Sequence, residues 1–305
     1  MTTANDQSLN TITSERRRLT NLAYRLLGSL SEAEDAVQET YARWYALPRH
    51  HRDAVEAPGA WLAKVAARIC LDVLGSARVR RERYVGAWLP EPLPDSTPWT
   101  TGPTGGATVD PADRISLDES LGMAFLVVLE SMTPAERVAF VLHDVFRYSF
   151  AEIAGIVGRT PAACRQLASS ARRRVRASRT PTTPAAHQAG IVRNFGQAWQ
   201  AQDIRALIGL LDPDATVVAD GGGLTRASLR PVEGGERIAH HLTRLIAKAP
   251  RTATVVERTV NGRPGLAARH DGATVAVYAF DIAGERITRI WAVLNPEKLR
   301  PWATG

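Results

Sequence analysis

The sequence predicts a multidomain protein in which an all-α part precedes an α+β domain. Apolar residues recur at helical spacing between residues 15 and 179, whereas the alternating pattern typical of strands lies between residues 216 and 294. A Pro-rich join, Thr180–Pro184, separates the two textures and is a candidate domain boundary. With 305 residues, of which 45% are hydrophobic, the chain can bury two or three domain cores.

The segment from Ser149 onward predicts a helix–turn–helix. Ser149 and Glu152 fit a capping box, and Gly158 suits the left-handed conformation that ends a helix. Thr160 and Pro161 then fit the N-cap and the first position of a second helix. These signals follow one another closely, as they do in two helices joined by a three-residue turn.

The second helix separates an apolar face from a basic face. Its predicted core face consists of Cys164, Leu167, Ala171 and Val175. Its other face suits DNA, because Arg pairs with guanine, Gln with adenine, and further arginines with phosphates. The residues predicted to contact DNA are Arg165, Gln166, Ser169, Arg172, Arg173 and Arg176. A solvated basic helix in a bundle is the structural alternative.

The charge distribution supports a nucleic-acid partner. Residues 159–179 contain seven arginines and no acidic residue, whereas residues 85–158 have a net charge of −7 and the chain +7. The basic helix lacks the large apolar residues that insert into lipid, so no membrane contact is expected. The N-terminus has no apolar signal segment, and the longest apolar run, Leu121–Leu129, is too short to span a bilayer. We expect a cytoplasmic protein.

Neither a metal site nor a disulfide nor a cofactor is expected. The two cysteines, Cys70 and Cys164, each lie on a predicted core face, and no Cys or His accompanies them at zinc spacing.

The N-terminal helices carry two candidate contact faces. We predict that Gly28 ends the first helix and that Ser31 with Glu34 caps the second. The second helix then exposes Asp35, Gln38 and Glu39, which either dock a partner or form a solvated face with Glu39 paired to Arg43. A third helix begins near Pro58. Its candidate DNA contacts are Trp61, Lys64, Arg68, Arg78, Arg80 and Arg81. An aromatic residue beside basic ones can stack an unpaired base, or can pack at a helix end beside solvated arginines.

The linker and the C-terminal domain differ from these helices in residue composition and in hydrophobic pattern. Residues 85–114 are rich in Pro, Gly and Thr and predict an extended linker. Within it, Trp88–Pro92 is either a docking peptide or a spacer packed against its own helices. The C-terminal domain is predicted as helices 188–200, 203–211 and 235–248, a strand at 216–219, and four antiparallel strands with turns at Asn261-Gly262 and Ala283-Gly284.

Several motifs together resemble an extracytoplasmic-function sigma factor. They are Asp35–Thr40 with Trp44, Pro58–Leu62, and Thr133–Arg137 leading into the helix–turn–helix. The resemblance spans residues 15–179. It implies a region 2 at 15–84 that binds core RNA polymerase and the −10 element, a linker at 85–114, and a region 4 at 115–179 that binds the −35 element. It also implies that Asp35, Gln38 and Glu39 contact the clamp helices of the polymerase β′ subunit, and that the Trp61-to-Arg81 set binds −10 DNA.

Residues 187–305 resemble the α+β NTF2-like (SnoaL-like) cone that the SigJ-like group of these factors carries. Asp220–Gly223 and Asn295–Lys298 resemble that group's glycine motif and terminal motif. Leu224 stands where the group usually has Lys, so a role for that cation would fall to Arg226. We expect a regulatory pocket formed by Asp220, Gly221, Gly222, Gly223, His240, His241, Trp291 and Asn295.

The expected function is promoter-specific transcription initiation, regulated in cis by the C-terminal domain. A small-molecule ligand of that domain is a possible further partner, beside promoter DNA and polymerase. Asp220 with a histidine could form an acid–base pair, but ligand sensing or packing is the preferred interpretation, and no enzymatic activity is expected. Two alternatives remain open at this point. One is a stand-alone, ligand-sensing helix–turn–helix regulator, and the other is an isomerase or cyclase fused to a DNA-binding module.

Overall fold

The computed structural model describes residues 2–82, 84–95, 97, 121–178, 183–250 and 252–303, without the side chains of residues 2–14 and 77–82. These residues divide into two compact units. The first unit contains residues 2–80 and 128–177, and the second contains the described residues of 81–97, 121–127 and 178–303.

The first unit is entirely helical. Its N-terminal helices are α1 (Thr2–Leu27), α2 (Leu30–Ala46), α3 (Arg49–Asp53) and α4 (Pro58–Glu82). Gly28 ends α1 as predicted, with φ 70° and its N–H bonded to the Tyr24 carbonyl at 2.7 Å. The predicted cap of α2 is wrong by two residues. Ser29 is the N-cap, and its hydroxyl accepts from the Glu32 N–H at 3.4 Å. Ser29–Glu32 repeats the Ser31–Glu34 spacing, and the chain is already extended at the residue after Gly28, as an N-cap requires.

The later helices confirm the predicted helix–turn–helix. They are α5 (Met123–Glu130), α6 (Pro134–Phe140), a π-helical turn (Val141–Val145), α7 (Phe150–Val157) and α8 (Pro161–Ser178). Ser149 and Glu152 form the capping box, and Gly158 ends α7 with φ 70°. The buried face of α8 differs in one residue from the prediction, because Ala168 is buried and Leu167 is only half-buried.

The C-terminal part is α+β. Its helices are α9 (Ala185–Gln200), α10 (Ile204–Leu210) and α11 (Gly235–Ala247). Its strands are β1 (Leu211–Asp220), β2 (Val232–Glu233), β3 (Thr254–Val260), β4 (Arg263–His270), β5 (Ala273–Ala283) and β6 (Arg286–Val293). They form one mixed sheet in the order β2-β1-β6-β5-β4-β3, with β3 to β6 as an antiparallel meander and β1 parallel to β6. Asn261-Gly262 forms a hairpin turn with positive φ at both residues, as predicted.

Both faces of this sheet are covered. On one face, α9, α10 and α11 bury an apolar cluster that includes Phe195, Trp199 and Tyr278. On the other face, Trp291 and Val293 pack with Leu89, Met123 and Trp302 in a second cluster. The predicted NTF2-like cone is confirmed, and its outer face is completed by residues from the linker and from α5.

The described helices include none that is both long and apolar enough to cross a membrane. Within the same residues, no group of His, Cys, Asp or Glu side chains could hold a metal ion. Cys70 and Cys164 are buried free thiols, and burial raises the pKa of both.

Candidate functional site

Asp220, at the end of β1, is the centre of a buried polar cluster. Its side chain is fully buried and accepts hydrogen bonds from four donors. Oδ1 accepts from the Tyr84 hydroxyl at 2.6 Å and the Gly222 N–H at 3.0 Å. Oδ2 accepts from the Leu89 N–H at 2.9 Å and from Lys298 Nζ at 2.7 Å. A buried carboxylate bonded in this way is stable only while these donors stay in place.

Lys298 binds Leu89 as well, through the Leu89 carbonyl. Its ammonium donates to the Leu89 carbonyl and lies 4.1 Å from the Trp88 ring centroid and 5.1 Å from that of Tyr84. Asp220 and Lys298 thus bind the N–H and the C=O of one residue. Asn295 donates to the Tyr84 hydroxyl at 2.8 Å. Burial and the bond to Asp220 raise the pKa of the Tyr84 phenol, which keeps it protonated as a donor.

Residues 84–94, which we call the strap, continue along the outer face of the sheet. Leu93 and Asn261 exchange two hydrogen bonds, of 3.1 and 2.9 Å, and Trp302 Nε1 donates to the Pro92 carbonyl at 2.8 Å. Leu89 and Leu93 are almost completely buried. Trp88–Pro92 therefore packs within its own chain, through Leu89 and the Pro92 carbonyl. The surface that it contacts is the sheet of the C-terminal domain.

The glycines after Asp220 permit close approach of the strap. A Cβ on Gly222 would overlap the Asn295 amide and lie 3.1 Å from the Tyr84 hydroxyl. A Cβ on Gly223 would lie 3.1 Å from Val85 Cβ. Both glycines also have positive φ, 61° and 73°, which other residues rarely adopt. Gly222 therefore lies against Asn295 and Tyr84, and Gly223 lies against Val85 of the strap.

The predicted DNA-binding face of α8 is largely exposed to solvent. Arg165, Gln166, Arg173 and Arg176 are exposed, and Ser169 is half-buried. Arg172 is predicted to contact DNA, but in the structure its side chain is engaged within the protein. Its guanidinium forms a bidentate ion pair with the buried Asp144, at 2.6 and 3.1 Å. This pair fixes Arg172 against the π-helical turn.

Comparison with known proteins agrees with this geometry. The family description Sigma-70 region 2 matches residues 11–83, and Sigma-70, region 4 matches residues 122–175. The ECF RNA polymerase sigma factor SigJ of Mycobacterium tuberculosis is 35% identical over 298 residues, which cover 93% of this chain and 90% of SigJ. The chain belongs to the extracytoplasmic-function family of RNA polymerase sigma factors.

Two further similarities support the assignment of this chain to the sigma factor family. A probable ECF RNA polymerase sigma factor of M. tuberculosis, SigI, is also 35% identical, over 94% of this chain and 92% of SigI. The crystal structure of M. tuberculosis SigJ superimposes with a TM-score of 0.73 at 31% identity, covering 96% of this chain and 98% of that one. The family consists of transcription initiation factors, so neither the stand-alone regulator nor the fused isomerase or cyclase is retained.

In region 2 of this sigma factor, the predicted polymerase-binding face is accessible. Asp35 and Gln38 are exposed, and Glu39 pairs with Arg43 at 2.9 Å while half of each side chain is exposed. Exposed ion pairs contribute little to folding stability, so a binding partner can replace the bond between Glu39 and Arg43 at little cost.

The predicted −10 face of region 2 is only partly described. On α4, Lys64 and Arg68 are exposed, and Trp61 lies 5.1 Å from Trp44 between ring centroids. Arg78, Arg80 and Arg81 lie outside the residues whose side chains the structure describes.

Regions 2 and 4 are joined within the first unit by a buried arginine. Arg137 of α6, 2% exposed, donates to the Leu26 carbonyl at the end of α1 at 2.9 Å and to Glu130 at 2.7 Å. Burial lowers the pKa of its guanidinium to about 9. The bond to Leu26 satisfies a carbonyl that α1 itself leaves open.

Of the residues predicted for the regulatory pocket, the two histidines are not bonded to Asp220 in the described structure, whereas Trp291 belongs to the same apolar cluster as Leu89 of the strap. His240 pairs with Glu236 at 4.0 Å, and in the described chain neither His240 nor His241 is bonded to Asp220, so no acid–base pair forms. Burial, with Arg244 nearby, lowers the pKa of His241. Trp291 is buried in the outer apolar cluster.

The cation beside Asp220 is Lys298, whereas Leu224 and Arg226 are exposed. The cluster also contains Tyr84, Leu89 and Lys298, which the sequence motifs do not predict as site residues. Lys298 was within reach of prediction, because it ends the Asn295–Lys298 motif.

Proposed function

We propose that this sigma factor binds core RNA polymerase in the cytoplasm and directs initiation at promoters read by region 2 at −10 and region 4 at −35. We further propose that its C-terminal domain regulates this activity in cis. One observation carries the regulatory proposal. The strap belongs to the segment that joins the two DNA-binding regions, and Asp220 and Lys298 bind it by its backbone.

The strap makes a suitable regulatory element because its docking is intramolecular. A tethered segment has an effective concentration in the millimolar range, so it rebinds readily after release. While docked, it shortens the chain that is free to span the distance between promoter elements. A small molecule that offered an amide and an aromatic ring to Lys298 and Asp220 would compete with Leu89 and Trp88. We propose that a ligand of the C-terminal domain, if it regulates the protein, has these two groups.

Run-off transcription with core polymerase tests the proposed function. The full chain is expected to support initiation at a specific promoter, and core enzyme alone is not. Promoter binding that is equally tight without polymerase would contradict the proposal.

Replacing Asp35 and Glu39 by Ala is expected to weaken binding to core polymerase. Residues at the centre of an interface typically contribute about 1 to 3 kcal/mol, which corresponds to a roughly five- to 150-fold loss of affinity. Because both side chains are exposed on α2, the helical content should not change. The matched control removes two exposed carboxylates elsewhere in region 2, Asp53 and Glu56. Equal affinity of both double variants for core enzyme would refute the docking assignment.

Substitutions on α8 are expected to separate base contacts from phosphate contacts. Arg165→Ala or Gln166→Ala should reduce the preference for particular −35 bases by about 1 to 3 kcal/mol. Arg173→Ala or Arg176→Ala should weaken all promoters alike and flatten the salt dependence. Holoenzyme binding to a set of −35 variants at several salt concentrations measures both effects. The same uniform loss in all four variants would contradict this division.

A further inference from the structure

The half-buried ring of Phe150 contacts both the π-helical turn and α8 of region 4. Phe150 is the first residue of α7, whose start is fixed by the capping box of Ser149 and Glu152. Its ring stacks on the His143 imidazole, with 4.0 Å between centroids and 23° between planes. His143 Nδ1 lies 2.9 Å from the Tyr148 carbonyl oxygen, which fixes the imidazole in turn.

The same ring contacts Arg165 of α8. The guanidinium carbon lies 5.3 Å from the Phe150 centroid, within the range of a cation–π interaction. Arg165 is the fifth residue of α8, and the N-terminal residues of a recognition helix are those that reach base edges. Among the described ion pairs, none involves Arg165, whereas Arg172 is bound to Asp144. The donors of Arg165 therefore remain available to DNA.

We propose that Phe150 is a positioning residue for promoter recognition. An exposed arginine samples many rotamers, and ordering it on DNA costs conformational entropy. Contact with a fixed aromatic ring restricts the guanidinium before DNA arrives. A restricted guanidinium is better prepared for a bidentate contact with one guanine. The proposal rests on the proposed function of Arg165 as a base reader.

The test compares Phe150→Leu, Phe150→Tyr and Arg165→Ala in the full chain assembled with core polymerase. Holoenzyme binding is measured on the promoter and on single-base −35 variants at several salt concentrations. Phe150→Leu should reduce discrimination about two- to fivefold, at the same base that Arg165→Ala affects. Phe150→Tyr should retain discrimination because it keeps the ring. The salt dependence should not change, since the phosphate contacts remain.

The outcomes separate this proposal from the function on which it rests. If Arg165→Ala alters base preference and Phe150→Leu does not, the positioning role is refuted and base reading by Arg165 stands. If Arg165→Ala has no base-specific effect, both are refuted. A uniform loss of binding on all DNA with Phe150→Leu, accompanied by a lower Tm, would assign the ring a structural role only. Phe150→Met, a second apolar variant, repeats the test if the Leu variant does not fold.

Discussion

Asp220→Ala is expected to release the strap and to lower the free energy of unfolding of the second unit by about 3 to 5 kcal/mol, the usual result of breaking a buried ion pair. The substitution leaves Lys298, which is 10% exposed, without its carboxylate. It also leaves the Tyr84 hydroxyl and the Leu89 N–H without their acceptor. Chymotrypsin should then cleave after Tyr84 or Trp88 much faster than in the native chain. Chemical denaturation measures the loss of stability.

Asp271→Asn is the matched control, because it removes an exposed carboxylate of the same unit, paired with His270 at 3.4 Å, and Asn tolerates the positive φ of 48° at this position. It should alter neither the cleavage rate nor the stability appreciably. A double variant, Asp220→Leu with Lys298→Met, should fold better than Asp220→Ala, since it leaves no buried charge uncompensated. Protection of the strap in Asp220→Ala equal to that in the control would show that the carboxylate does not hold it.

The same variant tests regulation in cis. If strap docking controls the linker, Asp220→Ala should change the amount of transcript in a run-off assay, while the choice of promoter stays the same. Under the proposed function, promoter choice depends on the DNA-facing residues of α4 and α8, whereas the hydrogen-bond donors to the Asp220 carboxylate lie in the strap and in the C-terminal domain. Identical transcript levels from the native chain and a strap-released variant would rule out regulation by this contact.

Glu130→Gln is expected to destabilise the first unit by about 3 kcal/mol, or roughly 6 to 12 °C in Tm for a unit of this size. Arg137 is 2% exposed, and Glu130 is the carboxylate to which its guanidinium donates. A glutamine keeps an acceptor but removes the opposing charge. The guanidinium would remain buried with only neutral acceptors, including the Leu26 carbonyl. Thermal unfolding followed by circular dichroism measures the effect.

Glu39→Gln provides the control, since it makes the same change in an exposed pair of the same unit. Glu39 and Arg43 are each about half exposed, so less than about 1 kcal/mol should be lost. Equal Tm values for the two variants would mean that the buried pair adds nothing beyond an exposed one.

The elements that the sequence predicted well are those specified by local chemistry. The capping box of α7, the left-handed Gly158 and the turn at Asn261-Gly262 each follow from neighbouring residues, and the structure contains all three. The cap of α2 was misplaced because two serines offered the same spacing to a glutamate. Whether Ser29 or Ser31 is the N-cap depends on where α1 ends, and the residues around Ser31 do not indicate that position.

The polar cluster around Asp220 is predictable from the sequence only in part, for a physical reason. Asp220, Asn295 and the glycines were found because their motif is distinctive, but the contact with Leu89 is made through its backbone N–H and C=O. Backbone groups are the same in every residue, so the sequence of the strap carries no sign of this contact. The two histidines are predicted from residue type alone, and in the described residues neither is a hydrogen-bond partner of the Asp220 carboxylate.

The outer apolar cluster has a consequence for how this protein can evolve. Leu89, Met123 and Trp302 pack together there, although they come from the linker, the start of region 4 and the end of the chain. The C-terminal domain is therefore not a self-contained cassette that a gene fusion could attach to any sigma factor. A recipient would need the strap and the first turn of α5 as well. A substitution that changes side-chain volume in one of these three stretches would leave a cavity or an overlap against the other two.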